Sequence, residues 1–126
     1  TLEYINYQYP AVADIWLLNA LMQSAEKIGE SPKAGIFRSH DAYYVESPYA
    51  NDGGKHIDKW RKLGVELIEH ETSALFVVSS LLKLRAAAIY VVAENYTDGT
   101  SLSKDALKQR LAICYSIAID TAKRIN

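Results

Sequence analysis

The 126-residue sequence is short of the residues that mark special classes of chain. One cysteine, Cys114, excludes an internal disulfide. It falls within a helical pattern, where a small core residue is expected rather than a nucleophile. Neither sign of charge dominates: 14 Lys and Arg stand against 15 Asp and Glu, a formal charge of −1. No block or stripe of basic residues is present, which argues against a nucleic-acid or membrane-surface partner. His40 and His56 are isolated and make no metal spacing with another His or Cys, so no metal is expected. No apolar run is long enough to span a bilayer and no leader pattern is visible, which makes a cytoplasmic address the default expectation. Internal repeats and low-complexity tracts are absent. What remains is 49% apolar and 23% charged residues, enough to build the core of one domain spanning residues 1–126.

The periodicity predicts alternating helices and strands. Ala11 to Ile28 carries Ile15, Leu18, Leu21, Met22, Ala25 and Ile28 at helical spacing, with Gly29 and Ser31-Pro32 as stops. Ala34 to Ser39 is a short strand, and Tyr44 to Gly54, with Pro48, Asn51, Asp52, Gly53 and Gly54, is a loop. His56 to Leu63 is a short helix closed by Gly64. Val65 to Glu69 is a strand. Thr72 to Leu82 is an apolar helix expected to turn Ala74, Leu75, Val78, Leu81 and Leu82 inward. The run Ala86 to Ala93 fits a central strand buried on both faces. Tyr96 to Ser101 is a turn centred on Asp98-Gly99. Ser103 caps a last helix to about Arg124, with Leu107, Leu111, Cys114, Ala118 and Ala122 as its inner stripe. Such alternation predicts an α/β fold, a mainly parallel sheet flanked by helices. Three strands are few for such a layer, and an uncovered sheet edge is a liability, so a partner segment or subunit is expected.

The chemistry concentrates where Val65-Glu66-Leu67-Ile68 leads into Glu69-His70-Glu71 and then a helix. If this segment stays extended, Glu69 and Glu71 point the same way and form a clamp for vicinal hydroxyls, because ionised carboxylates only accept hydrogen bonds. The alternative is a pair of solvated acids at a helix N-terminus, where the dipole favours negative charge. Glu94 stands at the end of the third expected strand, where open α/β sheets place their sites; the alternative is an exposed strand-end acid. Tyr43 offers an aromatic face, or packs on the core as a loop residue.

Glu69-His-Glu-Thr-Ser-Ala-Leu-Phe76 resembles the Glu-Met-Glu-Ser-Ala/Thr-Leu signature of the nucleoside phosphorylase family, which includes uridine phosphorylases and hexameric purine nucleoside phosphorylases. Pro10-Ala-Val-Ala-Asp14, Ser39-His-Asp-Ala-Tyr-Tyr44, Trp60-Arg-Lys-Leu-Gly64 and Val91-Val-Ala-Glu-Asn95 resemble further family segments in the same order. The resemblance covers nearly the whole chain but only the C-terminal half of the family's three-layer domain. It implies phosphorolysis of a purine or pyrimidine nucleoside to free base and ribose 1-phosphate. Inorganic phosphate would be the co-substrate, with no organic cofactor. It assigns Glu71 to the ribose hydroxyls, with Glu69 and His70 shaping that pocket. Tyr43 would pack on the base, and Glu94, in place of an Asp of the purine branch, would donate a proton to the departing base.

The departures from the family pattern also carry expectations. His70 replaces the family's Met; it could bond a hydroxyl or a phosphate, or mark a site without functional constraint. Val45-Glu46-Ser47-Pro48 lacks the Gln and Arg that read uracil in the uridine branch. The family's phosphate ligands lie mostly in its other half, and the chain opens Thr1-Leu-Glu-Tyr without a methionine. A portion or a processed product is therefore expected, inactive alone, with a complementary N-terminal half or further copies of itself as partner. A nucleosidase on the same scaffold and a non-catalytic nucleoside-binding or assembly fragment are the alternatives.

Overall fold

The computed structural model describes residues 5–6, 8–40 and 56–125. The chain divides into two compact units, Thr1–Val12 with Ala34–Leu82 and Ala13–Lys33 with Lys83–Asn126.

The first unit is built on two parallel strands, β1 (Ile36–Ser39) and β2 (Val65–Glu69), with helices α2 (His56–Lys62) and α3 (Thr72–Leu81). The α/β character expected from the sequence is thus observed, with parallel pairing between the flanking helices. Ser39 pairs with Glu69, Arg38 with Ile68 and Phe37 with Leu67, and an irregularity separates these pairs from Ile36 with Val65. Gly64 closes α2 at φ +79°, a left-handed conformation that costs a glycine no Cβ clash. The Arg38 guanidinium lies 4.5 Å from the centroid of the Trp60 ring, a cation–π contact between β1 and α2. At the far end of α3, the Tyr9 hydroxyl hydrogen-bonds Ser80.

In α3 the buried residues are Thr72 and Val77. The face expected to point inward, Ala74, Leu75, Val78, Leu81 and Leu82, is exposed. Amphipathic spacing identifies an apolar face but not what covers it. Polar bonds at the helix N-terminus, described below, turn the opposite side toward the strands.

The second unit pairs two helices, α1 (Ile15–Glu26) and α4 (Lys104–Arg124), and adds a hairpin of β3 (Glu94–Asn95) and β4 (Thr100–Ser101). Helix α1 starts four residues later than the sequence predicts. The Asp14 carboxylate accepts from the Leu17 amide at 2.8 Å and so fixes the first turn at Ile15. Leu21, Ala25 and Ile117 form the core, with Ala87, Ile89 and Ile113 packed on it. Ile15 and Ile28, expected inside, are exposed. The inner face of α4 is rotated from the expected stripe: Ile117 and Thr121 are buried, Leu107, Leu111 and Cys114 are half-buried, and Ala118 and Ala122 are exposed. Burial pushes the Cys114 thiol pKa up, in keeping with a packing residue. Ser103 caps α4 as expected, accepting from the Ala106 amide at 3.2 Å.

The run Ala86–Ala93 does not form the expected central strand. Among the described residues it joins no ladder, although the Ala86 carbonyl accepts from Asp14 at 2.8 Å and the Ala93 carbonyl from Leu102 at 2.8 Å. A strand exists only with a neighbour, and none lies beside this run among the described residues. The turn at Asp98-Gly99 is where the sequence puts it: Gly99 takes φ +72°, and the Asp98 carboxylate accepts from the Thr100 amide and hydroxyl at 2.9 and 2.6 Å.

Candidate active site

The parallel register brings the ends of β1 and β2 level, so Ser39 and Glu69 stand side by side where α3 begins. The chain leaves the strand after Glu69, and Glu71 occupies the N-cap position of α3 with φ −127° and ψ −21°. The condition for a two-acid clamp, a segment extended through Glu71, is therefore not met. Glu69 is 6% exposed, whereas Glu71 is exposed.

Glu69 is held by four donors. One carboxylate oxygen accepts from the Ser39 hydroxyl. The other accepts from the amides of Glu71 and Thr72 at 2.8 and 2.6 Å and from the Thr72 hydroxyl at 2.5 Å. Ser39 Oγ in turn accepts from the Ser73 amide at 2.8 Å. The first amides of α3, unsatisfied within any helix, are thus satisfied by two side chains from the strand ends. Burial raises the Glu69 pKa, but the bonds from Ser39, Thr72 and Glu71 outweigh it and bring the group from 4.5 to about 2. Glu69 is a fixed negative charge at a helix N-terminus, where the dipole favours it.

Glu71 differs in each respect. Its side chain makes no capping bond to α3. Its carboxylate stands exposed at the same helix end, one residue beyond the half-buried His70. The His70 ring is held by its Nδ1, 2.6 Å from the His40 carbonyl, while the His40 amide donates to the Glu69 carbonyl at 2.8 Å. His40 therefore continues the β1–β2 ladder by one bond and presents its carbonyl to the ring.

The structure brings Glu69, His70 and Glu71 together at the β2–α3 junction of the first unit. Glu94 belongs to the second unit, exposed in β3 and paired through its backbone with Ser101. Tyr43 lies outside the described residues. Sequence reasoning did not single out Ser39, His40, Thr72 and Ser73 as supports. Two signals pointed to three of them: Ser39 ends the first expected strand with a hydroxyl side chain, and Thr72 and Ser73 open the helix, where hydroxyl residues are common. Among the described residues no cluster of three or more His, Cys, Asp or Glu side chains is placed to hold a metal ion. No described helix is long and apolar enough to cross a membrane.

Residues 3–122 match the family model described as the phosphorylase superfamily. The uridine phosphorylase of Escherichia coli (strain K12) is 26% identical, with 99% of this chain and 53% of that protein covered. A guanosine phosphorylase of Halorubrum lacusprofundi is 31% identical over 82% of this chain and 40% of its own length. A purine nucleoside phosphorylase of Aliivibrio salmonicida is 26% identical over 98% and 50%. The chain spans about half the length, or less, of these relatives.

Proposed function

The chain belongs to the phosphorylase superfamily, and from that premise we propose that it carries the ribose- and base-binding portion of a nucleoside phosphorylase. The observation that carries this is the division of labour between two neighbouring acids. Glu69 is bound up in the helix start, while Glu71 presents its carboxylate outward without a capping bond. Glu71 accepts hydrogen bonds from the ribose hydroxyls, with Glu69 and His70 as the wall of that pocket. Phosphate attacks the anomeric carbon, the glycosidic C–N bond breaks, and ribose 1-phosphate forms. Positive charge developing on the sugar is stabilised by the nearby carboxylate. Tyr43 packs on the base, and Glu94 supplies the proton that the departing base takes up.

The complete activity requires a partner. Either the complementary portion of the domain or further copies of this chain cover the exposed apolar face of α3 and the unladdered run Ala86–Ala93. The test joins the chain to the portion of a relative it does not span and assays uridine and inosine with and without phosphate. Phosphate-dependent release of base is expected, with Glu71→Gln lowering kcat/KM by about 100-fold. Equal release without phosphate would make the protein a nucleosidase, and no release in any combination would leave a non-catalytic fragment.

A further inference from the structure

We infer that the run Ala86–Ala93 takes a strand along each of its two edges, and that both strands come from the portion of the domain this chain does not span, not from a second copy of it. The partner requirement stated above is the premise, and it is narrowed here to one partner whichever reaction the site performs. Side chains along the run alternate. Ala87 and Ile89 pack on the core between α1 and α4, while Tyr90 and Val92 are exposed. A period of two marks extended backbone. The run is tied once at each end: the Ala86 carbonyl accepts from the Asp14 amide and the Ala93 carbonyl from the Leu102 amide, each at 2.8 Å. Ala86 and Ala93 are an odd number of residues apart, so in an extended chain their carbonyls leave on opposite edges. Each edge is thus occupied at one end only. Between the ties, the backbones of Ala87, Ala88, Ile89, Val91 and Val92 make no hydrogen bond among the described residues. Ala88 and Val92 face the edge tied at Ala86, and Ala87, Ile89 and Val91 face the edge tied at Ala93.

Two open edges on an uncharged apolar run call for two neighbouring strands, and the exposed Tyr90 and Val92 call for a layer over them. A second copy does not supply these. Pairing about a two-fold axis joins one edge of the run to the same edge of the copy and leaves the other edge bare. Copies stacked edge on edge would repeat every ~4.8 Å, whereas each helix packed beneath the run is ~10 Å across. The relatives, by contrast, are about twice as long as the part of them that this chain matches. The remainder is long enough to provide both strands and the cover.

The experiment is amide hydrogen exchange, read residue by residue by NMR. It is run on the whole chain at several concentrations, and on the chain joined to the portion of the Escherichia coli uridine phosphorylase that it does not span. In the chain alone, the amides facing both edges are expected to exchange freely at every concentration. In the joined protein, both sets are expected to slow by about 100-fold or more. Slowing of one set only, or of neither, overturns the inference. So does protection in the chain alone that grows with concentration, which would make a second copy the partner. Phosphate-dependent base release from a joined protein whose run stays unprotected sinks the inference and leaves the function; protection of both sets without turnover does the reverse. In a second arm, Val92→Asp is expected to leave the unfolding midpoint of the chain alone unchanged, because the side chain is exposed there. In the joined protein it is expected to speed exchange along the run by about tenfold or more, since a covered carboxylate disfavours docking. Undiminished protection with the aspartate in place would also overturn the assignment.

Discussion

Around the β2–α3 junction of the first unit, two of the best-buried side chains are polar, Glu69 and Thr72, joined by directed bonds. In the second unit the corresponding place is taken by Leu21, Ala25 and Ile117, packed between two helices. The polar residues buried there, Ser24 and Thr121, are bonded to the helices themselves: Ser24 accepts from Arg124, and Thr121 donates to the Ile117 carbonyl. Apolar packing resists voids but is non-directional, whereas a carboxylate held by four donors fixes the angle at which a strand end meets a helix. The region proposed to meet substrate is thus organised by directional bonds, and the helical unit by volume.

The sharpest way to break this contrast is Glu69→Ala, expected to cost about 3 kcal/mol by stranding buried donors. Denaturant unfolding followed through Trp60, in a Trp16→Phe background, measures it. The same carboxylate should give the first unit an acid transition. Its folded pKa of about 2 lies below the ordinary 4.5. The stabilisation is therefore complete above pH 4.5 and is lost as pH falls toward 2. Up to about 3 kcal/mol is at stake, and the slope should vanish in the alanine variant. Ile117→Val should cost about 1 kcal/mol in the second unit, by the same amount at every pH, because only volume is removed. Ser103→Ala should cost about half a kcal/mol through loss of the α4 cap. Least of all, Glu71→Ala should change stability by less than about 0.5 kcal/mol, since its side chain caps nothing. A large loss there would erase the distinction between the two acids.

Much of the fold was legible where the cause is local. Gly64 and the Asp98-Gly99 turn stand as expected because positive φ is a property of single residues. Ser103 was legible as a cap for a similar reason. The starts of β2 and α3 were also readable, since the apolar period changes there. Legibility ended where an outcome depends on a neighbour. Ala86–Ala93 has the composition of a central strand, but pairing needs a second backbone. Leu75, Val78 and Leu81 have the spacing of an inner face, but spacing does not say which side is covered. At the site, the sequence identified Glu69-His70-Glu71 as a group. It missed that Glu69 is a helix cap, because strand alternation cannot be carried past the residue where the strand stops.

One detail of the strand pair bears on how much change this site tolerates. The register step between Ile36–Val65 and Phe37–Leu67 places Glu66 as an extra residue of β2, with its carboxyl end 2.5 Å from where a Cβ on Gly35 would lie. An alanine at Gly35 would therefore have to displace the Glu66 side chain at the entrance of the strands. Beyond it the count from Phe37 to Ser39 runs in step with Leu67 to Glu69, and that register sets the hydroxyl level with the carboxylate.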